Sequence, residues 1–448
     1  MLLVVVCSAG PAAAQVVTLR PYPGPVLTQG PVVVGNDVVW SQQRCVRQCW
    51  SGIFSPPDTA AVYAVRSGRA GRVPQTLYRA RLSHSSSGGP RFRYDTVLFD
   101  ASEQALVTTH MTQRGDAVEG DSSSIVVRAG PPGTVRPVLV DCSDVVGSPR
   151  VDLDGNRVAY DPDPCDDSAR LVVRDLGTGA TVALPEPAGG APLALRGRFV
   201  AWIAGGELVV HDLMTGSVAY SAPATGVRAL DLDADGTVAA VSGDARRPCA
   251  TGRLLRYSMA APGPADLGPA CATGVAIDGG RIVYLGWEGI FRTLRAVEPD
   301  GAAQVLVDFG RVRPGGFDFG GERFAWAARD CGGGEALFAL TLADAPIGAG
   351  SINCRARFRS GVVPVRRRIA TVRLRCPPGC AGELSLRHMG RRQFSIPRAG
   401  GDVQVRLRRD VWARLQRAGS LPALAKMVTS NRAGDRQARS RQVTLVAR

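Results

Sequence analysis

The chain contains 448 residues, of which 45% are apolar, so it is longer than one typical domain and has enough apolar material for a large core. No run of 18 or more apolar residues follows the first segment, so we expect no transmembrane helix. The formal charge of +15 is unevenly spread, because residues 351–448 carry a net charge of +19 and the rest of the chain a net charge of −4. The basicity therefore belongs to a separate C-terminal domain.

The first 14 residues form an apolar run that ends in three alanines, a pattern typical of a secretory signal peptide cleaved after Ala14. The run contains no Lys or Arg, which such signals usually carry, and a start codon further upstream would supply them. Val6 stands where a lipid-attachment signal needs a small residue, so the pattern does not favour lipidation of Cys7. We therefore expect a secreted, extracellular or cell-envelope protein.

From residue 32 to residue 326 the sequence repeats one unit seven times: an apolar strand, a turn, and a second strand that closes on small and aromatic or apolar residues. The closing positions are Trp40, Val107, Tyr160, Trp202, Ala240, Tyr284 and Trp326. Most of them are roughly 40 residues apart, and further apolar runs complete four strands in each unit, as in the blades of a β-propeller. The seven units predict an all-β, seven-bladed propeller over residues 15–345.

These repeats resemble the WD-like repeats of TolB-like propellers, in which a strand, an Asp-Gly turn and a strand ending in a small and an aromatic residue recur. Residues 153–160, 195–202, 277–284 and 319–326 carry the pattern best, and the resemblance covers about residues 16–345. It implies the fold alone, because such repeats occur in periplasmic accessory proteins, sensors, receptors and a few enzymes.

The segment from Val16 to Leu19 has the pattern of an outermost strand without a blade of its own, and the last blade lacks such a strand after Leu342. We expect the N-terminal strand to complete that blade, because this closure removes exposed sheet edges. Trp40, Trp202 and Trp326 could form a sugar-binding platform, but their position in the repeat predicts that they pack between blades.

Apart from Cys7, ten cysteines fall into five neighbouring couples, which we interpret as disulfides. The couples are Cys45 and Cys49, Cys142 and Cys165, Cys249 and Cys271, Cys331 and Cys354, and Cys376 and Cys380. Structural metal is the alternative, but neither short couple has a second couple at zinc-finger spacing. Most of these cysteines follow second strands or precede first strands, so they staple one propeller face. Its loops could bind another protein or a glycan, or the disulfides could only protect long loops from proteolysis.

Residues 351–448 alternate Arg with apolar residues, as strands with one buried and one solvated face do. We predict a small C-terminal β-sandwich. The outward arginines that could bind an anionic polymer of the cell envelope are Arg355, Arg357, Arg359, Arg373, Arg375, Arg406 and Arg408. The alternative is a face that is only solvated. Only Lys426 among the 54 basic residues is a lysine, so Arg is the usual cation throughout the chain and its presence here need not indicate binding. Nucleic acid is not expected, because aromatic residues for base stacking are scarce here.

Candidate catalytic chemistry is sparse. The segment from Asp231 to Gly236 resembles a calcium loop, but Ser242 stands where that loop needs Glu. The Gly-Asp-Ser-Ser stretch from Gly120 lacks the nucleophile elbow of a serine hydrolase. Since neither His nor paired carboxylates recur at one blade position, we predict no catalytic residue, no metal and no cofactor. We favour a non-enzymatic binding or scaffold protein, and the alternative is an extracellular propeller enzyme, a lyase or hydrolase acting on carbohydrate.

Overall fold

A computed structural model of the protein describes most of residues 17–448. Residues 1–16, which include the expected signal peptide, lie outside the described residues, as do several later stretches, the longest of which are 48–59, 84–90, 115–121, 144–150, 161–170, 185–191 and 346–355. The described residues form an all-β propeller followed by a curled β-sheet that carries one α-helix. Within this described part, no helix has the length and apolarity that crossing a membrane requires.

The propeller begins with strand β1 (Val17–Leu19), which belongs to its last sheet. A five-stranded sheet follows, with β2 (Val26–Leu27), β3 (Val32–Val34), β4 (Asp37–Arg47), β5 (Ala60–Gly68) and β6 (Gln75–Ser83). The next sheet contains β7 (Arg91–Ala101), β8 (Ala105–Arg114), β9 (Ser122–Ala129) and β10 (Arg136–Ser143). Then come β11 (Val151–Asp154), β12 (Arg157–Tyr160), β13 (Val172–Asp175) and β14 (Thr181–Ala183).

Three further four-stranded antiparallel sheets follow, and a fourth sheet consists of β1 and the last three strands of the propeller. The strands of the first two are β15 (Leu193–Arg196), β16 (Phe199–Ala204), β17 (Glu207–Asp212), β18 (Ser217–Pro223), β19 (Val227–Leu232), β20 (Val238–Ser242), β21 (Arg253–Ser258) and β22 (Ala261–Pro269). The third consists of β23 (Val275–Asp278), β24 (Arg281–Glu288), β25 (Phe291–Val297) and β26 (Ala303–Gly310). The last contains β27 (Phe317–Gly320), β28 (Arg323–Arg329) and β29 (Glu335–Thr341).

The propeller closes on itself through the N-terminal strand. β1 pairs antiparallel with β29, with Val17 opposite Ala339 and Leu19 opposite Leu337. The innermost strands β3, β7, β11, β15, β19, β23 and β27 each contact the next in this order, and β27 contacts β3. The prediction that the N-terminal strand completes the last sheet is confirmed, with the strand beginning at residue 17.

Each repeat folds as predicted from its turn and its closing residues. Between β11 and β12, Gly155 has a φ of 57°, a backbone conformation that glycine adopts without steric cost. The side chains of Val158, Ala159 and Tyr160 in β12 are all buried, although successive residues of a strand point to opposite faces. Both faces of the sheet are therefore covered by neighbouring sheets.

The three repeat tryptophans lie in the core. Trp40, Trp202 and Trp326 are among the largest fully buried side chains. The ring of Trp326 stacks between Phe324 and Phe338, with ring centroids 5.5 and 5.3 Å away. These tryptophans therefore pack the sheets together, and the interpretation that they are core residues is confirmed.

The C-terminal part forms one curled sheet of eight strands and one helix. Its elements are β30 (Arg357–Phe358), β31 (Val362–Arg366), β32 (Ile369–Arg375), β33 (Cys380–Leu386), β34 (Gly390–Ile396), β35 (Gly401–Arg406), α1 (Arg409–Ala418), β36 (Ser420–Ser430) and β37 (Arg436–Ala447). The order is β30, β32, β31, β37, β36, β33, β34, and β35 pairs with β32. β31 and β37 pair parallel, and the other pairs are antiparallel.

This sheet differs from the predicted sandwich, because all eight strands belong to a single hydrogen-bonded sheet that curls around its own core. The predicted alternation holds: Ala370, Val372 and Leu374 of β32 are buried, whereas Arg373 and Arg375, which alternate with Val372 and Leu374, are exposed. Alternation shows which face of a strand is buried. It does not show whether the inner faces belong to one curled sheet or to two packed sheets.

Two of the five expected cysteine couples are disulfides in the structure. Cys249 is bonded to Cys271 with an S–S distance of 2.05 Å, and Cys376 to Cys380 with 2.02 Å. In each of the other three couples, at least one cysteine lies outside the described residues, and nothing is described of the side chains. Those pairings are Cys45 with Cys49, Cys142 with Cys165, and Cys331 with Cys354, and they stay predictions.

Candidate functional site: an acidic cavity and a basic sheet face

A cavity of about 940 Å³ lies where the innermost strands of the propeller meet. Its wall includes residues from β3, β7, β11, β15, β19, β23 and β27, and from the turns that follow several of these strands. The side chains of Asp100, Asp152, Asp231 and Asp318 face it. We call this space the acidic cavity.

The four aspartates occupy equivalent positions on their strands. Asp152, Asp231 and Asp318 each lie opposite an alanine of the second strand, and Asp100 lies opposite Val107 in the bulged pair of β7 and β8. A single carboxylate therefore recurs at this position in four sheets, which the search of the sequence for paired carboxylates did not identify. The signal in the sequence is an Asp between two apolar residues of an inner strand. For Asp152 and Asp318, two further strand residues lie between this Asp and the turn.

Each of these carboxylates binds the backbone of the next sheet. Their Oδ2 atoms accept hydrogen bonds from the backbone N–H groups of Leu153, Leu195, Ile277 and Val33, in the order of Asp100, Asp152, Asp231 and Asp318, at 2.6, 2.5, 2.7 and 2.6 Å. An innermost strand leaves N–H groups that its own sheet does not pair, and leaving them without partners would be costly. The aspartates satisfy these groups and connect neighbouring sheets.

Burial changes the acidity of the four carboxyls. It raises the pKa of Asp231 to about 8 and that of Asp318 to about 6, although the backbone N–H groups they accept from act in the opposite direction. Burial, followed by the charge of Asp152, raises the pKa of Asp100 well above its usual range, and burial also raises the pKa of Asp152. Near neutral pH the acidic cavity therefore holds both protonated and ionised carboxyls.

A second set of aspartates lies at the ends of the inner strands, where the turns begin. Asp154, Asp233 and Asp278 accept hydrogen bonds from Gly197, Gly280 and Gly321 of the next sheets, at 2.7, 2.5 and 2.7 Å. Arg196 on β15 reaches across to Asp278 on β23, with Nη2 2.5 Å from Oδ1, and its Nη1 lies 3.9 Å from Asp154. The Arg196 guanidinium thus partly neutralises the mouth of the acidic cavity.

The acidic cavity and the propeller disulfide lie on opposite faces. The cavity wall includes turns that follow first strands, at Gly35, Ser102 and Gly321. Cys249 follows the second strand β20, and Cys271 precedes the first strand β23. In a four-stranded antiparallel blade these two kinds of connection emerge at opposite ends of the strands. The cavity therefore opens away from the face that the sequence singled out for partner binding.

The aspartates of the calcium-like segment accept hydrogen bonds from backbone N–H groups. Asp231 and Asp233 accept hydrogen bonds from backbone N–H groups of the next sheet. Oδ1 of Asp235 accepts a hydrogen bond from the N–H of Thr237 at 2.8 Å. Among the residues that the structure describes, no three His, Cys, Asp or Glu side chains converge as metal ligands would. The segment is an ordinary strand and turn of the propeller.

The curled sheet brings most of the predicted arginines together. Arg357 lies directly opposite Arg375 in the pair of β30 and β32, and Ile369 lies opposite Arg406 in the pair of β32 and β35. Directly opposed residues point to the same face. The resulting basic face consists of the exposed residues Arg357, Arg359, Arg373, Arg375 and Arg406.

Two predicted arginines do not belong to this face. Arg408 follows the end of β35, and its guanidinium is paired with Asp410 at 3.2 Å. Arg355 lies outside the described residues. Within the basic face, Arg373 is 3.6 Å from Asp402, while Arg357, Arg359, Arg375 and Arg406 make no side-chain hydrogen bond or ion pair with any described residue.

A groove of about 610 Å³ adjoins the basic face. It lies between β34 and β35, two strands that are neighbours in space but not paired. Sequence reasoning missed two arginines that line it, Arg367 and Arg392, because they lie in a turn and in a strand without clear alternation. Arg406 lines the groove as well.

The turn that carries Arg367 has an unusual backbone. Arg367 and Arg368 form the two-residue connection of the hairpin of β31 and β32, with φ angles of 46° and 71°. Such turns favour Asn and Gly, because other residues pay about 1 kcal/mol or more for a left-handed backbone. Arg368 anchors the turn: its Nε and Nη2 donate to the Leu407 carbonyl at 3.3 and 2.9 Å, and the Leu407 N–H donates to the Arg368 carbonyl at 2.8 Å.

No protein-family model matches the chain, and no curated protein matches it by sequence. Among solved structures, it is similar to the propeller domain of the Trilobed protease from Pyrococcus furiosus, at 12% identity and a TM-score of 0.44, over 70% of this chain and 95% of that one. It is also similar to TolB from Acinetobacter baumannii, at 14% identity and a TM-score of 0.30, over 59% and 78%. A puromycin hydrolase matches at 12% identity and a TM-score of 0.44, over 79% and 58%.

Proposed function

We propose that this TolB-like propeller is a secreted or envelope-associated, non-enzymatic binding protein that docks on an anionic polymer through the basic face. The proposed organisation is a signal peptide at residues 1–14, seven blades over residues 15–345, and a basic domain over residues 351–448. The five-stranded sheet with β3 counts as one blade in this proposal. Its support is the closed order of contacts among the innermost strands.

One observation carries the docking proposal. Arg357 and Arg375 are directly opposed on neighbouring strands, and neither guanidinium has a partner among the described residues. Like charges directly opposite each other destabilise a sheet pair. A bound carboxylate, sulfate or phosphate would relieve this repulsion, because the planar guanidinium suits such groups.

The test is a titration of the full chain, from residue 15, with polygalacturonate at 0.01 M and 0.15 M salt. We expect binding that weakens strongly at the higher salt, because the Debye length falls from about 30 Å to about 8 Å. The variant Arg357→Ser, Arg359→Ser, Arg373→Ser, Arg375→Ser should lose most of the affinity. The matched control, Arg246→Ser, Arg247→Ser, Arg414→Ser, Arg439→Ser, loses the same charge from positions outside the basic face. Equal weakening in both variants would refute docking at the basic face.

The propeller has its own proposed partner, another protein or a glycan at the face that carries the disulfide between Cys249 and Cys271. Loops on a rigid scaffold commonly hold binding residues, which supports this assignment. Crosslinking from a photoreactive group at exposed Arg246, beside that disulfide, tests it. A crosslinked partner is expected there, and none is expected from the same group at exposed Thr215, which lies in the turn between β17 and β18 on the opposite face.

A second candidate function, an enzyme acting on carbohydrate, is favoured by the carboxyl pair in the acidic cavity. Asp100 and Asp152 are close enough to affect each other's protonation, and both face the cavity. Carboxyls with raised pKa values can act as general acids near neutral pH. Release of reducing ends from a panel of polysaccharides, lost in Asp152→Asn but kept in the exposed control Asp175→Asn, would establish this activity. No release by the unmodified protein would exclude hydrolysis of those substrates.

A further inference from the structure

The groove between β34 and β35 gathers three arginines from three separate elements. Arg367 comes from the turn of β31 and β32, Arg392 from β34, and Arg406 from β35. None of the three guanidinium groups makes a hydrogen bond or ion pair with any described residue, although Asp402 also lines the groove. Asp402 is directed instead to Arg373, 3.6 Å away. The groove therefore holds positive charge that the described residues leave unmatched.

The position of Arg367 is maintained against its backbone preference. A φ of 46° is rare for a residue with a side chain, and Asn or Gly would fit the turn better. The two bonds from Arg368 to the Leu407 carbonyl fix the turn beside the end of β35. Strained residues of this kind persist where the surrounding structure holds them, often at binding sites. The strain places the Arg367 guanidinium on the groove wall.

The rest of the groove has the chemistry of a sugar site. Gln404 supplies an amide group and Ser395 a hydroxyl, whereas the amide of Gln393 donates to the Glu383 carboxylate at 3.0 Å. Ile369 is exposed to 38% although it is apolar, and Phe394 is half-buried beside it on the groove wall. A flat surface that bound charge alone would need only the arginines. An amide, a hydroxyl and apolar side chains together match the hydroxyl groups and the apolar ring face of a saccharide.

We propose that this groove binds an acidic saccharide chain, with Arg367, Arg392 and Arg406 holding its carboxylate or sulfate groups. The proposal rests on the proposed function, since it names the part of the basic region that recognises the polymer. The basic face would attract any polyanion, whereas the groove would distinguish a sugar from another polymer of equal charge.

The test compares three probes on the full chain from residue 15 at 0.15 M salt: a galacturonate oligomer, its neutral methyl ester, and a polyphosphate of equal charge. We expect the galacturonate oligomer to bind at least tenfold more tightly than either of the others. The variant Arg367→Asn, Arg392→Ser should lose that preference and still bind both anions weakly at 0.01 M salt. The control Arg414→Ser, Arg439→Ser should keep the preference.

Arg367→Asn alone separates recognition from folding. Asn tolerates the left-handed backbone, so this variant should melt at the same temperature or higher while binding the galacturonate oligomer several-fold more weakly. A lower melting temperature with unchanged binding would show that Arg367 is structural and would overturn the proposal. If the galacturonate oligomer and the polyphosphate bind equally, and the basic-face variant alone weakens both, the groove proposal fails while docking on polyanions stands. If neither anion binds even at 0.01 M salt, both proposals fail.

Discussion

The propeller and the curled sheet use charge in opposite ways. In the propeller, aspartates point inward to the acidic cavity, and each accepts a hydrogen bond from the backbone of the next sheet. In the curled sheet, arginines point outward, and those of the basic face mostly lack partners among the described residues. Buried charges need partners to be tolerated, whereas exposed charges are stable in water without them.

This difference separates a structural role from a recognition role. The aspartates satisfy backbone groups that the sheets cannot satisfy themselves, so they stabilise the propeller even if nothing binds there. The outward arginines contribute little to folding, since exposed charges contribute little to stability. Loss of an inward charge should therefore change stability, and loss of an outward charge should change binding.

The largest expected effect concerns closure of the propeller. Removing residues 1–19 deletes β1 and leaves the edge of β29 uncovered at Leu337, Phe338 and Ala339. We expect the free energy of unfolding to fall by about 4 kcal/mol, since the backbone hydrogen bonds of three residue pairs are lost and the buried side chains of β29 become more exposed. Urea denaturation measures this. Removal of residues 1–14 alone is the control, and equal midpoints for the two truncations would contradict closure by β1.

The disulfides allow a direct comparison of the two regions. Cys249 and Cys271 are 22 residues apart, and Cys376 and Cys380 are 4 apart. A bond that closes a longer loop restricts the unfolded chain more, so replacing the first pair by Ser should cost about 3 kcal/mol and the second about 2 kcal/mol. Denaturation of each double variant beside the unmodified protein gives the two values. A larger loss for the C-terminal pair would contradict the entropic account.

A smaller effect should appear as pH dependence of the propeller. Asp231 titrates with a pKa of about 8 in the folded state, against about 3.9 unfolded, so the folded state binds more protons between these values. Stability should therefore fall as pH rises from 5 to 8, by about 2 kcal/mol, since one pKa unit is worth about 1.4 kcal/mol and the half-buried position of Asp231 lets solvent screen part of the shift. The carboxyls of Asp152 and Asp318 and the guanidinium of Arg196 act on the same group.

Denaturation at pH 5 and pH 8 tests this dependence. Asp231→Asn should reduce it, because the amide still accepts from Ile277 but does not titrate, while Asp100 and Asp318, whose pKa values are also raised, keep the remainder. Asp175→Asn should leave it unchanged. Hydrogen bonds from Thr178 lower the pKa of this exposed carboxyl, so the carboxyl does not titrate in this range. A stability that rises from pH 5 to pH 8 would show that the cavity carboxyls are ionised throughout.

Much of the fold could be predicted because it depends on local patterns. The closing residues of the repeat, such as Trp202 and Trp326, mark second strands whose two faces are buried, and the orphan strand predicted from Val16 to Leu19 indicated closure. The aspartates were missed because their role depends on the next sheet. Asp152 binds Leu195, which is 43 residues away, and a pattern within one repeat cannot show that contact.

The candidate site in the curled sheet could be predicted only in part, for the same reason. Alternation placed Arg357, Arg373 and Arg375 on one face correctly, since strand geometry alone decides it. It did not identify Arg367 or Arg392, because the groove exists only where the curled sheet brings β34 beside β35. Nor did it show that Arg408 is paired with Asp410 beyond the end of the strand.

The central claim is that the outward arginines form a recognition surface, and chemical footprinting tests it most directly. Phenylglyoxal modifies accessible guanidinium groups, and peptide mass spectrometry measures the extent at each arginine. In the presence of polygalacturonate at 0.01 M salt, we predict strong protection of Arg357, Arg359 and Arg375 and unchanged modification of Arg246 and Arg439. Equal protection at all five positions, or at none, would contradict the claim and leave the basic face as a solvated surface.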